Sequence, residues 1–192
     1  MPATNLDPKT ALVVIDLQKG IVGLPTVSPL APDVIANAAR LVEAFRAKGL
    51  PVVLVTVGPS EDGGDSLRPR AQAAPPPRPW TAEFAEPVPE MVPRRGDILV
   101  RKRSPNAFYG TELDLQLRRR GVTGIVLCGI ATSIGVDTTA RGANERGYNV
   151  TFATDAMCDL VPEIHDFELA RIFPRLGELD TTDAILGLLA GI

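Results

Sequence analysis

Residues 121–152 read GVTGIVLCGIATSIGVDTTARGANERGYNVTF, and this stretch decides the fold. The apolar run Gly124–Cys128 predicts a buried strand, a glycine-bounded turn follows, and Ser133–Arg146 reads as a helix stopped by Gly147. Tyr148–Phe152 (YNVTF) is the next strand. Two short apolar strands joined by a helical crossover are a parallel βα unit.

The same unit repeats outward in both directions. Toward the N-terminus, Thr111–Arg120 predicts a helix whose three closing arginines suit its negative C-terminal end, with Gly121 as cap. Asp97–Val100 and Pro51–Val57 (PVVLVTV) predict two further strands. Between them and the first strand, Ala11–Ile15, lies Asp33–Lys48, with apolar Val34, Ile35, Ala38, Leu41, Val42 and Phe45 at helical spacing and Gly49 at its end. Toward the C-terminus, a helix over Pro162–Ile172, a short strand near Glu178–Leu179 and a last helix from Thr182 complete the pattern. The expected class is α/β, a doubly wound, Rossmann-like three-layer sandwich in one domain over 1–192. Residues 59–93 hold half of the chain's 18 prolines, including PPPRPW, and predict an extended excursion rather than a helix. So long a loop in a compact domain serves as a lid, a pocket wall or a subunit contact.

Composition narrows the function. A chain of 192 residues with 45% hydrophobic and 22% charged residues builds a full core without disulfides or a structural metal. Net charge −3 gives no general attraction to nucleic acid or to acidic membranes, and neither is expected as a partner. No apolar run is long enough to span a bilayer, and MPATNLDPKT has no signal-peptide core, so a cytoplasmic location is expected. With one His (His165) and two Cys (Cys128, Cys158), multi-His and Cys-rich metal sites are excluded and no cofactor is expected. A Ser-His-Asp triad would depend on His165 with no G-x-S-x-G elbow in the chain, so His165 is read as a surface or helix-packing residue.

In open parallel sheets ligands bind beyond the carboxyl ends of the strands. Three features meet that test. Asp16 follows ALVVI directly, where a carboxylate is costly to bury unless paired or used. Lys102, in DILVRKRS, is the one lysine of four at a strand end, and it can pair with Asp16 and hold a substrate carboxylate, or else belong to a solvated run with Arg101 and Arg103. Gly129–Arg141 (GIATSIGVDTTAR) turns from strand into helix, and amides at such a helix start can hold an oxyanion.

VVIDLQKGIV, DILVRKRSPNAFYGTELDLQLRRRGVTGIVLCGIATSIGVDTTA and NVTFATDAM together resemble the isochorismatase-like, or cysteine hydrolase, superfamily in order and at family spacing. The resemblance implies a six-stranded parallel sheet of order 3-2-1-4-5-6 and a catalytic set of Asp, Lys and Cys. Asp16 matches the Asp of the family's D-x-Q motif, with Gln18 following, and Lys102 matches the Lys after the third strand. The family turn G-[VI]-A-T-x-x-C-V, which often has a cis bond before its Ala, matches Gly129–Val136. Gly135 stands at the cysteine position. Gln18, Ile130, Ala131, Ile134 and Gly135 are then the expected oxyanion and substrate contacts.

Amidase members need the thiolate as nucleophile. Cys128 and Cys158 read as buried packing thiols, and Ser133 has no His base within the motif. The zinc-binding D-x-H of nicotinamidases has no counterpart in GPSEDGGD. True isochorismatases share the Gly and hydrolyse a vinyl ether without a covalent nucleophile. Carried over, Asp16 is the general acid and Lys102 orients the acid and the substrate carboxylate. The turn lacks the aromatic and His that isochorismatases place there, so the small-molecule substrate stays open. A catalytically inactive relative serving as a ligand-binding or structural oligomer is the alternative, whereas a dinucleotide-binding domain lacks support because IDLQKG replaces G-x-G-x-x-G. The resemblance implies a homodimer or homotetramer. A larger residue such as Leu at Gly135 is expected to block the pocket at little cost in stability.

Overall fold

The computed structural model describes residues 2–25, 30–72 and 80–192. Its strands are β1 (Thr10–Ile15), β2 (Val52–Val57), β3 (Ile98–Lys102), β4 (Gly124–Ile130), β5 (Asn149–Cys158) and β6 (Glu178–Asp180). All ladder pairs among them are parallel, and the order is β3-β2-β1-β4-β5-β6, as the resemblance implied. Strand order therefore reverses between β1 and β4, which puts the crevice for a ligand beyond Ile15 and Ile130.

The helices are α1 (Lys19–Val22), α2 (Ala31–Ala47), α3 (Ala82–Ala85), α4 (Leu113–Arg119), α5 (Asp137–Glu145), α6 (Pro162–Phe167) and α7 (Thr182–Ala190). β1 is buried on both faces, so its residues alternate between two cores. Leu12 and Val14 meet the apolar stripe of α2 (Val34, Ala38, Leu41, Phe45) and Ile185 and Leu189 of α7. Ala11, Val13 and Ile15 meet Leu113 and Leu117 of α4 and Ala140 and Ala143 of α5. Complete burial of Phe45 alone contributes about 2–3 kcal/mol. No helix among the described residues is long and apolar enough to cross a membrane.

Three local expectations are corrected. β5 runs to Cys158 rather than ending at Phe152, because it leaves and rejoins its partner. Leu127 pairs with Phe152, yet Gly129 pairs with Met157, and the intervening residues lean toward β6, where Ala153 pairs with Asp180. Asp155 in that detour accepts from the Thr182 amide and hydroxyl and so anchors the start of α7. The excursion is not wholly extended: Thr81 caps α3 by accepting from the Phe84 amide, and Pro89–Met91 form a 3-10 turn. The prolines at 75–79 lie outside the described residues. The helix after Gly129–Ile130 opens with a wide turn over Thr132–Val136, in which the Val136 N–H donates to the Ala131 carbonyl five residues back.

Gly129 shows why this crossing tolerates no side chain. Its φ is +118°, and a Cβ there would lie 2.1 Å from the Ile15 carbonyl oxygen.

Candidate active site

β3 is one edge strand of the sheet, and its residues alternate: Ile98, Val100 and Lys102 point inward while Leu99 and Arg101 are exposed. Lys102 is therefore separated from its charged neighbours by the pleat. Its side chain is 1% exposed, and Nζ lies 2.8 Å from Asp16 Oδ2 and donates to the Pro105 carbonyl at 2.7 Å. Two of its three protons are engaged by these partners.

Strand alternation would send residue 16 to the α2 face, away from Lys102. The backbone of Asp16 is instead left-handed, with φ of +53°, and its carboxylate meets the ammonium on the α5 face. Such a conformation is uncommon outside glycine and is better tolerated by Asp than by most residues. The Asp16 amide donates to Val55 O and its carbonyl accepts from the Gln18 amide, which fixes the turn. Burial pushes the Asp16 carboxyl up to about 6, against the opposing pull of Lys102. Oδ1 is buried and has no partner among the described residues.

Gly135 completes the cluster. A Cβ at this position would lie 3.2 Å from Lys102 Nζ and 3.3 Å from Asp16 Oδ2. The three residues that meet here lie just after β1, at the end of β3 and in the wide turn beyond β4. The same Cβ would stand 2.8 Å from Ile15 Cγ2, so the expectation that a larger residue costs little stability at 135 is corrected: the position is overpacked by a single methyl.

The other expected contacts behave differently. Gln18 is fully buried, and its amide is spent on backbone: Nε2 donates to Val57 O (3.0 Å) and Phe84 O (3.1 Å), while Oε1 accepts from Val57 N (2.8 Å). It ties β2 and the 80–88 segment over the end of β1 and has no free donor for a substrate. Ile130 packs into the α2-side core and contributes only backbone, and the Ile130–Ala131 peptide is cis. Ile134 is corrected as an oxyanion donor, because its N–H donates to Ala131 O at 3.1 Å and its side chain is 42% exposed. Ala131 lies at the edge of the crevice, 8% exposed.

His165 is the residue that local sequence missed. It is half-buried on α6, and its Nδ1 lies 2.8 Å from Thr132 Oγ1. Burial holds its imidazole below the ordinary value. Asp159 accepts from the Ser133 amide at 2.6 Å, so the turn is held by one side chain from the β5–α6 connection and one from α6. A cleft of about 520 Å3, lined in part by Asp33, Asn37, Asp155 and His165, opens beside this turn. Asp16 and Lys102 do not line it. Neither thiol is activated: Cys128 is fully buried and pushed up to about 12, and burial pushes Cys158 up to about 11.

The isochorismatase domain model matches residues 10–184. The chain is 47% identical over 191 residues to the uncharacterized isochorismatase family protein YwoC of Bacillus subtilis (strain 168), covering 97% of each. It is 33% identical over 215 residues to the ureidoacrylate amidohydrolase RutB of Methylobacterium radiotolerans, covering 95% of this chain and 82% of that one. An isochorismatase family protein structure from Burkholderia thailandensis superposes with a TM-score of 0.93 at 43% identity, covering 97% of this chain and 98% of that chain.

Proposed function

The chain belongs to the isochorismatase family, whose members are hydrolases, and from that premise we propose that it hydrolyses a small-molecule vinyl ether by general-acid catalysis. One observation carries this reading: at Gly135, where a Cβ would lie 3.2 Å from Lys102 Nζ and 3.3 Å from Asp16 Oδ2, the pair meets no side chain. A thiol at that position would be the attacking group of an amidase. Here the acid and the cation face a glycine instead, and no thiol is available from this position.

The reaction follows from those groups. With an enolpyruvyl-type ether, the Asp16 carboxyl gives its proton to the terminal methylene carbon, and the alkene electron pair forms the new C–H bond. The ether oxygen shares its lone pair with the adjacent carbon, giving an oxocarbenium ion. Water adds at that carbon and returns a proton to Asp16. The hemiketal then collapses to an alcohol and a 2-keto acid, so one water is consumed and the acid is regenerated. Lys102, holding Oδ2 and keeping one free proton, orients the acid and accepts the substrate carboxylate. That carboxylate also offsets the pull of Lys102 and keeps Asp16 protonated.

The test is a screen of the purified protein against vinyl ethers bearing a carboxylate, with amides, ureido acids and lactams alongside. Turnover of a vinyl ether supports the proposal. Turnover of amides alone would overturn the reaction type, and no turnover of any class would favour a ligand-binding relative.

A further inference from the structure

Lys102 is held not only by Asp16 but by a loop, and the loop is clipped to the helix that begins beyond Gly135. Its Nζ donates to the carbonyl of Pro105, three residues on. Two residues further, the buried amide of Ala107 donates to Thr139 Oγ1 at 3.0 Å. Thr139 is fully buried on α5, one helical turn after Gly135 and on the same side of the helix. The next residue of that stripe, Gly142, lets the loop approach: a Cβ there would lie 2.7 Å from Asn106 Nδ2. Within the loop, Asn106 Oδ1 accepts from the Phe108 amide at 2.8 Å, and the Thr111 hydroxyl donates to Ala107 O.

A buried N–H without an acceptor is costly, so the Ala107 amide commits the loop to one position on α5. That position fixes the Pro105 carbonyl, and the carbonyl fixes the ammonium. We infer that Thr139 is a positioning residue for the reaction, its hydroxyl oxygen holding the loop that aims Lys102 at Asp16 beside Gly135. It touches neither the substrate nor the reacting atoms.

The inference rests on reading Asp16 and Lys102 as the working pair, yet its test needs no turnover. The carboxyl of Asp16 is followed by 13C NMR across pH in Asp-labelled protein. Lys102 is the charged group that opposes burial at this carboxyl, so loosening it lets burial dominate. Thr139→Val keeps the shape and removes the acceptor. It is expected to move the Asp16 midpoint upward by roughly 0.5–1 pH unit. Thr139→Ser keeps the oxygen and is expected to leave the midpoint in place. On any substrate turned over, the high-pH limb of the rate profile moves with the midpoint.

A folded Thr139→Val protein with an unmoved midpoint, or a Ser variant that shifts as far as Val, overturns the inference. Should the Val variant not fold, Asn106→Ala loosens the same loop by removing the acceptor of the Phe108 amide. An upward shift there supports the inference, and none overturns it. If the midpoint moves but no vinyl ether is hydrolysed, the positioning stands and the reaction assignment falls. The reverse pattern separates the two the other way.

Discussion

Lys102 holds Asp16 by one oxygen only: Nζ lies 2.8 Å from Oδ2, while the buried Oδ1 accepts nothing among the described residues. A purely structural ion pair would be expected to satisfy both oxygens, because an unmet buried acceptor costs about 1–3 kcal/mol. The asymmetry leaves one oxygen free to carry a proton. It is the arrangement of a carboxyl held in place at one end and available at the other.

Asp16→Asn keeps the shape and removes the titrating proton. Turnover should fall by about 100- to 10,000-fold, with a near-unchanged circular dichroism spectrum. Retention of activity within a few-fold would remove Asp16 from the acid role.

The pH dependence has a definite sign. With its carboxyl at about 6, Asp16 is the acid below that value and is progressively lost above it. The rate constant kcat/KM should decline about tenfold per unit above pH 6. In the complex the substrate carboxylate raises the group further, so the kcat limb should lie at higher pH than the kcat/KM limb. A profile rising through this range would identify a base instead.

Gly135→Ala tests the position itself. Its methyl would meet Ile15 Cγ2 at 2.8 Å and Lys102 Nζ at 3.2 Å. The expected result is a loss of about 1–3 kcal/mol in unfolding free energy together with at least a tenfold loss of kcat/KM. Normal turnover by a stable Ala variant would place the substrate elsewhere.

Alkylation separates this site from a thiol enzyme. Both cysteines are buried with raised thiols, so iodoacetamide under native conditions should label neither quickly and should leave activity intact. Rapid inactivation traced by mass spectrometry to Cys128 or Cys158 would contradict the account.

Most of the sheet was legible because each central strand is an apolar run buried on both faces. Asp16 and Lys102 were legible as charges at strand ends, but the run Arg101-Lys102-Arg103 looked ambiguous. The pleat resolves it, since extending the alternation of Ile98 and Val100 by one step puts Lys102 inside. The end of β5 was hidden by Thr154 and Asp155, whose side chains serve β6 and α7. The Thr132–His165 contact spans 33 residues and leaves no local signal. Gln18 was marked by its motif, though only the structure shows its amide committed to Val57 and Phe84.

The most direct test follows the atoms of one turnover of an enolpyruvyl ether in D2O and, separately, in 18O-labelled water. Proton delivery to carbon predicts a keto acid with one deuterium in its methyl group, and an alcohol that keeps its original oxygen. Asp16→Asn should form neither product above background. Labelled oxygen in the alcohol would mean that water attacked the other side of the ether, and the proposed role of Asp16 would be contradicted.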